Sequence, residues 1–273
     1  MKRFASWAAK EIESLDLAAD HQRIVFLSCQ GDFARDTPRA LDYAVFRTIA
    51  FPAFRTALHP VNPADAPVPG DAGPAQRAVS ELMEHGYDSK PGKDALERLW
   101  AVQGGSPLSQ EDFLYFLSAF VFEPIRWNAR FGWRCMTEKE RLALFEFWRH
   151  VGWQFKFYGI PPLYTAFERY NLEYERVNGR LTEEKKLVEV AARRLFRSWF
   201  PRWMHPLVNG GAYGFMDDRF RRAFGFPRPS PMVRRSVASI MRIRGFLLRF
   251  RPGRGRRSSS AGRQSDPAGA AEM

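Results

Sequence analysis

The apolar run from Phe113 to Phe122, which ends on Glu123-Pro124-Ile125-Arg126-Trp127, constrains this chain more than any other segment. A helix that is hydrophobic on every face must lie inside a helical protein or a membrane. The run is about half of the roughly 20 residues that span a bilayer, so it predicts a core helix. The Glu-Pro-Ile-Arg-Trp sequence predicts an elbow at its end, and a second amphipathic helix then reaches Trp148. Glu123 and Arg126 enter apolar surroundings together, and buried charges are costly unless paired or hydrogen-bonded. They are either a structural pair or the lining of a site.

Helical periods dominate the rest of the chain. They predict helices over 4–16, 38–58, 74–86, 92–103, 109–125, 137–157, 161–177, 183–200, 203–209 and 232–250. Thr37-Pro38 places proline at a first helical position, Ser109 precedes an acidic first turn, and Thr137 to Glu140 and Thr182 to Lys185 resemble capping boxes. Strand-like alternation is confined to one candidate, Arg23 to Cys29. The fold class is therefore all-α. Pro60 to Pro74 reads as a Pro/Gly-rich loop, and the stretch from Gly253 onward has too little apolar content to fold. The predicted organisation is one multi-helix globular domain over 1–230, a basic amphipathic helix over 231–252 and a disordered tail over 253–273.

With 24 Phe and 8 Trp among 273 residues, the chain can bury a large core, either simply packed or built around something wide and apolar. Cys29 and Cys135 are far apart and belong to no zinc-spaced group, which agrees with a reducing compartment. The N-terminus carries acids where a secretory signal needs an apolar core, and no segment reaches transmembrane length. These features predict a cytoplasmic protein, peripheral on a membrane.

The net charge of +12 is local. Fourteen arginines and no acidic residue lie between Asp218 and Asp266, which leaves 28 basic side chains against 30 acidic ones elsewhere. In the terminal helix Val233, Val237, Ile240, Met241, Ile243, Leu247 and Leu248 spread over one side, with Arg234, Arg235, Arg242 and Arg249 on the other. Such a helix with its arginine tail, 231–257, suits an anionic membrane surface. It equally suits docking on the core with a solvated arginine face. Nucleic acid is the weaker partner, because no zinc module, helix-turn-helix or RNA-binding motif accompanies the arginines.

Strong catalytic signatures such as GxSxG, a P-loop or HExxH are absent. His21, His59, His85, His150 and His205 form no pair at i,i+3 or i,i+4, which argues against a di-iron carboxylate centre.

Four segments read in order do carry a resemblance: DTPRALDYAVFRTIAFPAF (36–54), ALERLWAVQG (95–104), the opening segment, and MDDRFRRAFGFPRPSPMVRR (216–235). Together they resemble the family of mpaB and latex-clearing-protein oxygenases. The EPIRW sequence, the WR-x-x-T-x-x-E run at 133–140 and FW-x-x-x-G at 147–152 are similar to the mpaB branch. The resemblance implies an all-α oxygenase with a b-type haem and a hydrophobic, prenyl-derived substrate. Latex-clearing relatives cleave carbon–carbon double bonds in polyisoprene, and the mpaB branch is linked to oxidative shortening of a farnesyl-derived side chain at the endoplasmic reticulum membrane.

The resemblance also assigns candidate residues. Glu123 matches an acidic residue of the core helix that could act as a base or orient an oxygen species, and Arg126 could hold a haem propionate. Where the family normally carries a histidine, taken as the axial iron ligand, this chain has Gln103, a weak ligand for iron. Arg77 is the counterpart of basic residues on the upstream helix. His85 could replace the missing ligand, although before Gly86 it also reads as a helix C-terminal histidine. Trp127 is placed for cofactor contact or for core packing, and Asp217 and Asp218 read as a helix cap. The glutamine favours an alternative in which an iron-free family member binds lipid or serves as a scaffold.

Overall fold

A computed structural model describes residues 6–54, 74–103, 109–179 and 185–248. The Pro60 to Pro74 loop up to residue 73, the Thr182 capping sequence, His59 and the tail from 249 onward lie outside the described residues. Among those described, every regular element is a helix and no strand occurs, so the all-α reading holds.

The chain opens with α1 (Trp7–Ser14) and α2 (Leu17–Phe26), followed by a π-helical turn at Leu27–Asp32. The predicted helix over 4–16 ends at Ser14, and α2, which no predicted helix covers, begins after Asp16, whose side chain accepts from the amides of Ala18 and Ala19. The strand candidate Arg23 to Cys29 is helical. Its apparent alternation reflects burial of Ile24, Val25, Leu27, Ser28 and Cys29 in consecutive turns. Then come α3 (Thr37–Ile49), α4 (Pro74–His85), α5 (Lys90–Gln103), α6 (Gln110–Phe131), α7 (Glu138–Gln154) and α8 (Tyr164–Asn178). The last are α9 (Lys185–Ser198), α10 (His205–Phe215), α11 (Asp218–Ala223) and α12 (Pro231–Leu248).

Helix α6 is the central element, packed by α3, α7, α8 and α12. It starts on a complete capping box between Ser109 and Asp112, as α7 does between Thr137 and Glu140. Phe113, Tyr115, Phe116, Leu117, Phe120, Val121 and Phe122 are all buried, and each Phe or Leu so placed contributes on the order of 1.5–3 kcal/mol. The expected elbow at Pro124 is absent, since the helix runs through it to Phe131. An internal proline costs about 3 kcal/mol. Packing on both sides outweighs that cost: Phe122 meets Tyr164 and Phe167, while Trp127 meets Tyr43, Phe131 and Trp199.

The terminal helix α12 docks on α10 and α6 through one narrow stripe, Val237, Met241 and Gly245. Gly214 admits this approach, because a Cβ there would lie 3.1 Å from Val237 Cγ2. Arg244, which lies off the predicted basic face, pairs with buried Asp36 at 2.8 Å. Docking leaves Met232, Ile240, Ile243, Phe246 and Leu247 exposed.

Candidate functional site

Helices α3, α6 and α8 and the start of α11 bring a set of charged side chains into the core. Arg47 of α3 is 1% exposed, and its guanidinium grips Glu175 of α8 by both oxygens at 2.6 Å. The same group lies 3.3 Å from Glu123 of α6 and pairs with Asp217, while its planar face covers the Phe220 ring at 4.8 Å. Arg126 donates to Glu123 and to Asn171 Oδ1, each at 2.8 Å. Tyr115 donates to Glu175 at 3.0 Å, and Asn171 donates to Ser118 at 2.8 Å.

Burial pushes the Glu123 carboxyl above the usual range, more strongly than Arg47 and Arg126 draw it down. Asp217 is the reverse case: burial raises it, but Arg47 outweighs burial and holds it well below the usual carboxylate range. The Tyr115 phenol is driven up by burial and then by Glu175, so it stays a neutral donor. Within the cluster, Glu123 is thus easier to protonate than an ordinary glutamate and Asp217 harder. A cleft of about 470 Å³ reaches it from the surface, lined among others by Arg47, Arg126, Arg130, Glu168 and Asp217.

Asp217 caps α11 through the amides of Arg219 and Phe220, as expected, and carries charge for the cluster as well. Sequence reading missed Arg47 and Glu175. The signal was present: Phe167, Asn171 and Glu175 fall at i, i+4 and i+8 on the buried face of α8, and Arg47 lies on the buried face of α3 with Tyr43 and Phe46. A charge on an apolar stripe calls for a partner.

The WR-x-x-T-x-x-E run has a structural explanation. Arg134 binds Glu140 at 2.6 Å and Asp32 at 3.0 Å, and Trp133 Nε1 donates to the Asp32 carbonyl at 3.0 Å. Together they fasten the start of α7 to the π-helical turn. Two histidines that are scattered in sequence also meet, since His21 and His150 stack at 4.7 Å while His21 Nε2 lies 2.6 Å from the Tyr87 hydroxyl.

Of the six residues singled out from sequence, only Glu123 and Arg126 are brought together. Glu123 and Arg126 share the ionic cluster and are engaged there by protein partners. Trp127 is 2% exposed within an aromatic wall. Arg77 is exposed on α4, and His85 is exposed at the C-terminal end of that helix, next to Gly86 with φ 75°. Gln103 ends α5, about 20 Å along the helix from Lys90, which lies near His85; its side chain lies outside the described residues. A haem needs an axial ligand on one face and cations at its propionate edge. As a set these six do not fit it: His85 faces solvent at one end of the α4–α5 pair, Gln103 stands at the other, and Arg126 is already bound by Glu123 and Asn171. Among the described residues no group of three or more His, Cys, Asp or Glu could hold a metal ion, and no helix is long and apolar enough to cross a membrane.

Two comparisons with known proteins bear on this geometry. The family model described as "ER-bound oxygenase mpaB/B'/Rubber oxygenase, catalytic domain" matches residues 97–246, a span that holds Glu123, Arg126, Glu175 and Asp217. The "ER-bound oxygenase mpaB'" of Penicillium brevicompactum is 25% identical over 228 residues, covering 76% of this chain and 53% of that protein. The chain spans about half the length of this curated relative.

Proposed function

The chain belongs to the family of mpaB/B' and rubber oxygenases, and from that premise we propose that it is an oxidoreductase that oxygenates or oxidatively cleaves a hydrophobic, prenyl-derived compound. The observation that carries this reading is the match of the family's catalytic domain to the stretch containing the aromatic core helix α6 and the buried Glu123–Arg126 pair. An interior walled by Phe, Tyr and Trp suits an isoprenoid chain, and a half-buried Arg126 at the mouth of a cleft suits orientation of a polar head. Glu123, raised by burial, is the group that takes or returns a proton. The family implies a b-type haem, a group that the six residues named above do not fit as a set. The apolar residues left exposed on the described part of 231–257 support membrane contact through that segment, and the ER-bound description of the Penicillium relative agrees with a peripheral position at a membrane.

A second reading, an iron-free family member that binds lipid or serves as a scaffold, is favoured by one observation. Glu123 and Arg126 pair with each other, and Arg47 and Asn171 engage them further, so the pair is held by protein partners alone.

Dioxygen uptake in the presence of a farnesyl-bearing phenol separates the two. The oxygenase reading expects a shortened carbonyl product, with both oxygen atoms of one dioxygen consumed per cleaved double bond. Unchanged substrate, bound but neither oxygenated nor cleaved, would support the scaffold instead.

A further inference from the structure

The corner between α9 and α10 carries a feature that the oxygenase reading does not use. In α9, Val188, Ala192, Leu195 and Phe196 are buried, which turns Arg193, Arg194 and Arg197 to the opposite side. The chain then passes Pro201 into a short 3₁₀ turn, Arg202–Met204, and enters α10. A cleft of about 560 Å³ opens there, lined by these four arginines together with His205, Ser198, Val190 and Phe200, and by no carboxylate among the described residues.

The local partners leave part of this charge uncompensated. Glu189 is engaged by Arg193 and by the Tyr213 hydroxyl, each at 2.6 Å. Arg197 gives only its Nε to Asn209, and the Arg202 side chain has no ion pair or hydrogen bond among the described residues. Beside the cations, Trp203 is 75% exposed and Leu207 71%. An exposed indole and leucine next to a ring of guanidinium groups is the arrangement that suits a headgroup layer, with cations at the phosphates and the rings dipping toward the acyl boundary.

We propose that the α9–α10 corner is an anionic phospholipid-binding surface, in which Arg197 and Arg202 hold headgroup phosphates while Trp203 and Leu207 insert beside them. This surface is separate from the terminal segment and does not depend on the oxygenase reading, since a protein without haem would still bind through it.

Flotation of the full chain tests it, with vesicles of phosphatidylcholine alone and of equal parts phosphatidylcholine and phosphatidylserine. The wild type is expected to float with the mixed vesicles and not with the neutral ones. Arg197→Glu/Arg202→Glu should weaken that binding about tenfold or more, because each cation near the headgroups contributes on the order of a tenfold factor or less. Trp203→Ser should weaken it even at low salt, with melting unchanged because the side chain is exposed. Arg234→Glu/Arg235→Glu on α12 is the comparison: binding lost there and kept in the Arg197/Arg202 variant would overturn the proposal. So would equal flotation on neutral vesicles, or release by inorganic phosphate at constant ionic strength, which would mark a site for free anions.

Discussion

Arg47 and Glu175 stand 128 residues apart in the chain and meet in the core as a two-pronged ion pair, with Nη2 2.6 Å from each carboxylate oxygen. Their side chains are 1% and 3% exposed, so water screens the pair little. A buried pair of this kind is weak evidence of net stability, because desolvation offsets the attraction. Breaking it is another matter, since Glu175, Glu123 and Asp217 all rely on the same guanidinium.

Arg47→Met should therefore destabilise the fold by about 3–5 kcal/mol, the range for stranding a buried charge. Arg47→Lys should fall between, because an ammonium keeps the charge and loses the fork. Urea denaturation followed by circular dichroism gives both values. A loss below about 1 kcal/mol for Arg47→Met would mean that the three carboxylates find other partners.

Glu123→Gln should separate structure from chemistry. Burial makes Glu123 easier to protonate than an ordinary glutamate, and the amide keeps its shape, so the substitution should cost less than about 2 kcal/mol. If Glu123 moves a proton in turnover, product formation should fall at least about a hundredfold, the usual worth of a positioned acid or base. Full activity in a folded variant would return Glu123 to a purely structural role.

Acid sensitivity should trace to Glu140. Burial raises this carboxyl, but hydrogen bonds from Arg134 outweigh burial and leave it below the usual glutamate range. A depressed folded value means stability that is present above the ordinary range and lost as pH falls through the folded value. Asp217 acts in the same direction. Asp36 and Asp42, raised chiefly by burial, act in the opposite one and lose their contribution as pH rises. Urea midpoints taken from neutral pH down to about pH 3 should fall less steeply for Glu140→Gln than for the wild type.

Thiol titration of the native protein should find one reactive cysteine. Cys135 is exposed, whereas Cys29 is buried and its thiol is pushed up to about 12 by burial. Unfolding in denaturant should release the second. Two fast thiols in the native state would indicate opening around the π-helical turn.

Periodicity and caps made the helices legible. The Ser109 and Thr137 boxes fixed two starts, and the apolar run marked α6 as central. Pro124 was misleading, because its local preference to end a helix is overridden by rings on neighbouring elements that no local rule contains. Helix α2 escaped prediction, although Asp16, which caps it through Ala18 and Ala19, was the local signal. At the site, Glu123 and Arg126 were recognisable as a pair from their spacing and surroundings. Arg47 and Glu175 were not, since their meeting depends on how α3 and α8 pack against α6. His85 and Gln103 suggested a ligand by position in the chain, but placement at opposite ends of two antiparallel helices is a tertiary property.

The decisive measurement is the absorption spectrum and iron content of the full chain produced with haem supplied. Oxygenase chemistry of the family kind predicts a Soret band with near-stoichiometric iron. A colourless, folded protein that takes up no haemin would contradict it and leave the lipid-binding or scaffold reading in its place.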